Sequence, residues 1–173
     1  MSARTLALAV LVLVTTVAIQ TTALGPGSLQ LFGASPNLVT LVVIGLARYL
    51  DEEPGILIGF TAGVFLDTLG SSVLGLWAMS QTVVAYSTLR LRDRSRDGIL
   101  VVAIGIALLT MLGQALFAVT GTLFGERFLT DIGVARRILL PGLYNMVIAA
   151  VLLPGIRRLM TSDRRPSSAW VPR

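Results

Sequence analysis

The sequence contains no cysteine and no histidine. Without cysteine there is no disulfide, no thiolate nucleophile and no thiolate metal site. Without histidine the chain lacks the commonest general base near neutral pH and the commonest metal ligand. Lysine is absent too, so all 14 basic residues are arginines, a trait of composition rather than of mechanism. Charge is scarce: 13% of residues are charged, where a globular domain carries about 25%. What is abundant is aliphatic surface. Of 173 residues, 54% are hydrophobic, more than a soluble core of one domain can hide, so the chain reads as a polytopic all-α membrane protein. A net charge of +5 would suggest nucleic acid in a soluble protein. Here the arginines gather at the ends of apolar runs, where they set topology and meet anionic lipid headgroups, and no nucleic-acid partner is expected.

Six apolar runs are legible. Residues 5–24 have the length to cross a bilayer. A single basic residue, Arg4, precedes this run, which is long for a signal sequence and reads as a retained span. Residues 37–50 and 55–69 are short, roughly 22 Å of helix each. A re-entrant hairpin is disfavoured because its tip would leave Arg48, Asp51, Glu52 and Glu53 in hydrocarbon. Pro54 suits the first turn of the third helix. Residues 73–91, 99–124 and 138–153 complete the set, the last ending at Pro154-Gly155. Residues 125–137 form a charged connection with interfacial character. The expected organisation is a six-span domain over residues 1–160 and a mobile Arg/Ser/Pro tail over 161–173. With six spans the arginine bias puts both termini in the cytoplasm.

The stretch from Pro54 to Gly75 carries the most specific pattern. Gly55, Gly59, Gly63 and Asp67 recur every four residues and so share one helix face. The glycines offer a groove for close helix contact, and Gly55, Gly59, Gly63, Asp67 and Gly75 are the candidate helix-packing and partner-contact residues. Asp67, the one acidic residue inside an apolar run, needs a partner or water, and is expected to anchor structure rather than carry protons. Gln81, Gln114 and Asn145 are candidate interhelical polar groups, with Gln81 and Asn145 the candidate partners of Asp67. Arg90, Arg92, Arg94 and Arg96, with Arg157 and Arg158, form cytoplasmic basic patches. Nothing in the pattern assembles a catalytic site, a metal site or a cofactor loop, so no enzyme activity is expected.

Ser35-Pro36-Asn37-Leu38, then Gly59-Phe60-x-x-Gly63-x-x-x-Asp67, then Gly75-Leu76, with Tyr144-Asn145 in the last run, resembles the rod shape-determining MreD family. The resemblance implies a six-helix bundle similar to the substrate-binding subunits of energy-coupling-factor transporters. It also implies a non-enzymatic scaffold in lateral peptidoglycan elongation in the bacterial plasma membrane. An MreC-like bitopic membrane protein would be its partner, with the MreB filament and the elongation synthase nearby. The alternative is a vitamin-binding transporter subunit, whose pocket would draw on Asp67, Trp77, Gln81 and Asn145.

Overall fold

The computed structural model describes residues 3–24, 34–70, 73–92, 98–126, 128–129 and 133–161. They form six helices: α1 (Ala3–Ala23), α2 (Leu38–Ala47), α3 (Glu52–Leu69), α4 (Leu76–Leu91), α5 (Ile99–Leu123) and α6 (Val134–Thr161). Three of them are long and apolar enough to cross a membrane, over Arg4–Ala23, Leu100–Leu123 and Val134–Thr161.

The shortest helix lies at the centre. LVTLVVIGLA in α2 has no polar face, and nine of its ten residues are buried, as an all-round apolar helix requires. It contacts each of the other five helices. On one side Val39, Val42, Val43 and Leu46 pack with residues of α1, α3 and α6. On the other, Leu41 and Ile44 pack with Val84, Ile106, Leu109 and Ala149. Ten residues rise only about 15 Å, half of a hydrocarbon core. The second run therefore yields an enclosed core helix, shorter than its 14 residues suggest, because Asn37 caps it and Arg48, Tyr49 and Leu50 turn out of it.

α3 begins at Glu52, earlier than the run at residue 55. Glu52 and Glu53 occupy its first turn, where carboxylates meet the positive end of the helix dipole, and Pro54 follows within the same turn. α4 begins at Leu76 rather than 73, after a turn in which Gly75 adopts φ 99°. That left-handed backbone is what glycine permits and other residues resist.

α6 is the largest departure from the pattern of apolar runs. It is one helix of 28 residues with Pro141 and Pro154 inside it. Arg136 and Arg137 lie in its first turns rather than in a surface connection. The helix passes through Pro154-Gly155 to Thr161. Membrane helices tolerate internal prolines when neighbouring helices hold the segment, and here Gly142, next to Pro141, does this. A Cβ built on it would lie 2.7 Å from Met111 Cγ and 2.9 Å from the Ala107 carbonyl of α5. Threonine hydroxyls along the helices are absorbed locally. Thr16, Thr82, Thr88 and Thr120 each donate to the carbonyl four residues back at 2.6–2.8 Å, which satisfies these four hydroxyls within their own helices.

Candidate functional site

The every-fourth-residue face of α3 lies against α4. A Cβ on Gly55 would sit 3.2 Å from Leu89, and on Gly59 it would sit 2.6 Å from Ala85 Cβ and 2.7 Å from the Gln81 carbonyl. On Gly63 it would overlap the backbone of Ala78 and Trp77. The two helices run antiparallel along this seam, so rising numbers on α3 meet falling numbers on α4. Gly75 is not part of it: a Cβ there meets nothing within 4 Å.

Asp67 closes the seam. Its Oδ2 accepts the N–H of Gly75 at 2.9 Å and of Ala78 at 3.1 Å, and Oδ1 accepts the Trp77 N–H at 3.1 Å. The first N–H groups of any helix lack partners within the helix. Gly75 has no side chain to cap α4, and the carboxylate from the end of α3 does so instead. Capping donors and a negative charge at a helix N-terminus attract each other through both hydrogen bonds and the dipole. Asp67 is 3% exposed, and the partner that such a residue requires is the backbone of its own neighbour helix. This replaces the expectation that Gln81 or Asn145 would serve.

Those two amides belong to a second polar cluster around the start of α2. Asn145 Nδ2 donates to the Asn37 carbonyl at 2.7 Å and to Thr110 Oγ1 at 3.1 Å. Asn37 Oδ1 caps α2 by accepting the Thr40 N–H at 3.0 Å. Gln81 Nε2 donates to Thr40 Oγ1. From α1, Gln20 accepts the Leu38 N–H at 2.8 Å and donates to the Pro36 carbonyl at 3.1 Å. Four helices thus converge on one buried helix start. The Gln81 and Asn145 side-chain carbonyls remain without a hydrogen bond. Gln114, half-buried on α5, makes none among the described residues.

Sequence reasoning missed Gln20, Thr40 and Thr110 as members of this cluster. Asn37 was visible only as part of Ser35-Pro36-Asn37-Leu38. An Asn three residues before Thr40 at the head of an apolar run is a helix-start signal. Nothing local marks Gln20 or Thr110.

The opposite end of the bundle carries most of the arginines, Arg136 and Arg137 lying at the start of α6. Arg90, at the end of α4, pairs with Glu52 of α3 at 3.0 Å and lies over the Tyr86 ring at 5.0 Å. Arg92 donates to the Leu50 carbonyl at 2.9 Å. Arg157 and Arg158 are exposed in the last turns of α6. Arg94 and Arg96 lie outside the described residues. A groove of about 550 Å³ opens at this end, beside Arg48, Arg157 and Arg158. Asp67, Trp77, Gln81 and Asn145 do not line it. Trp77 stacks on Phe117 instead, with ring centres 4.2 Å apart.

Apolar helices wrapped round a capped central helix, with buried polar groups engaged at helix ends and between helices, define a membrane helical-bundle protein. Within that class the sequence is specific. Over residues 2–162 it matches the family model described as rod shape-determining protein MreD, and the chain belongs to that family. Its role therefore lies in rod shape determination. No curated protein and no solved structure matches the chain.

Proposed function

We propose that this protein is a non-enzymatic scaffold subunit of the complex that directs lateral peptidoglycan elongation. It crosses the plasma membrane several times with its arginine-rich end and both termini in the cytoplasm, and it binds an MreC-like bitopic partner there. The MreB filament and the elongation synthase act with that pair. The family match over residues 2–162 carries this reading. It is supported by an interior in which Asp67, Gln81 and Asn145 bond to helix backbone and neighbouring hydroxyls. The arginine distribution supports the orientation.

The test is depletion in a rod-shaped cell, with capture of the tagged protein. Rounding of the cells and co-purification of an MreC-like protein are the expected results. Normal shape with a new vitamin requirement would instead make it a transporter subunit.

A further inference from the structure

The 550 Å³ groove is built by the turn after α2, the start of α5 and the end of α6. Three arginines, Arg48, Arg157 and Arg158, are among the residues that line it. None of the three is paired with a carboxylate among the described residues, and no acidic residue lines the groove. Its walls are apolar: Val102 and Ala103 from α5, and Ala149, Ala150 and Leu153 from α6. The small side chains create the space. Arginine at a helix C-terminus has an ordinary explanation in the dipole and in topology. That explanation covers each residue singly. It does not account for three such residues, one from the turn after α2 and two from α6, lining one concave apolar wall.

From this geometry we infer that the groove is a binding site for one anionic phospholipid. The lipid phosphate sits among Arg48, Arg157 and Arg158, and an acyl chain lies between α5 and α6 along Ala103 and Ala150. Charge complementarity selects the headgroup: the site offers only cations, so a phosphate without an attached ammonium fits best. The shape selects a lipid over free phosphate, because most of the wall is hydrocarbon that only a chain can cover. Pro154 adds a preference. It has no N–H to return to the Ala150 carbonyl, and both residues line the groove. A headgroup that carries hydroxyl donors, such as phosphatidylglycerol, can satisfy that acceptor where a bare phosphate cannot. The site makes no use of Asp67 or of the glycine seam and does not depend on the identity of a protein partner.

The test uses the full chain, purified in detergent and delipidated. Retention of phosphatidylglycerol, phosphatidylcholine and inorganic phosphate is read by native mass spectrometry and by thermal stabilisation. The unaltered protein should retain one phosphatidylglycerol in preference to phosphatidylcholine. Two arginines near a membrane surface are together worth about thirtyfold in lipid affinity, so an Arg157→Gln/Arg158→Gln variant should lose about that factor. Ala150→Leu, which fills the wall without touching charge, should also lose retention. Arg90→Gln, whose guanidinium lies outside the groove, should bind as the unaltered protein does. Equal retention by all variants would overturn the site. An equal loss in Arg90→Gln would reduce it to diffuse surface charge, and stabilisation by inorganic phosphate equal to that by lipid would overturn the choice of ligand.

Discussion

Oδ2 of Asp67 accepts the Ala78 N–H at 3.1 Å, and Ala78 is also the residue whose backbone Gly63 lies against. One turn of α4 is therefore fastened twice by α3, once by a carboxylate and once by the absence of a side chain. The two features are coupled, because the close approach brings the amides within reach of Asp67.

That coupling predicts a graded response at Asp67. Asp67→Asn keeps one acceptor oxygen, able to serve two of the three amides, and should destabilise the protein by about 1 kcal/mol. Asp67→Leu strands all three amides and should cost about 2–4 kcal/mol. Thermal unfolding in detergent gives the order, and complementation of shape in a depleted strain should follow it. A folded Asp67→Asn protein that failed to restore shape would show a role beyond anchoring.

Along the glycine seam the tolerance should fall toward Asp67. Gly63→Leu, which drives a side chain into the α4 backbone, should abolish folding. Gly59→Ala should cost about 1–3 kcal/mol, the range for overpacking. Gly105→Ala, with nothing within 4 Å of its Cβ, should be neutral. Yield of monodisperse protein and its unfolding temperature report all three.

Asn145 and Gln114 should separate cleanly. Asn145→Ala removes hydrogen bonds to Asn37 and Thr110 in a site with no exposure, and should cost about 1–2 kcal/mol. Gln114→Ala removes none and should stay within about 0.5 kcal/mol. Equal effects would mean that burial volume, not hydrogen bonding, sets the response.

The ion pair between Arg90 and Glu52 should matter little. Both side chains are more than half exposed, and such pairs contribute about 0–1 kcal/mol. Glu52→Gln is expected to shift the unfolding temperature by less than Asp67→Asn does, and its effect should shrink further in high salt.

The absence of cysteine makes topology directly measurable. Thr161→Cys, at the arginine-rich end, and Leu123→Cys, at the far end of α5, each introduce a single exposed thiol. Membrane-impermeant reagents should label Leu123→Cys in intact cells and Thr161→Cys only after lysis. The reverse pattern would invert the proposed orientation.

Composition and spacing alone determined that the chain is helical and made for a membrane. They also determined that Gly55, Gly59, Gly63 and Asp67 share a face, because helix geometry converts a four-residue interval into a line without any tertiary knowledge. The Gly-Phe…Gly…Asp…Gly pattern pointed to the family on the same local basis.

Only the folded chain decided what that line meets, and which helix lies inside. Leu41 is fully buried and Val151 is 81% exposed, yet both are aliphatic residues in apolar runs. In water a helix shows its buried side by contrast with a polar one. In lipid that contrast vanishes, so periodicity cannot tell core from surface, and nothing local marked the short second run as the enclosed one. The polar contacts were hidden for a different reason. Asn145 and Asn37 are separated by 108 positions, and which helix starts they would join depends on how α5 and α6 pack on α2. Asp67 announced its need for a partner in the sequence. That its partner is the start of α4 followed from the tertiary approach that Gly59 and Gly63 allow.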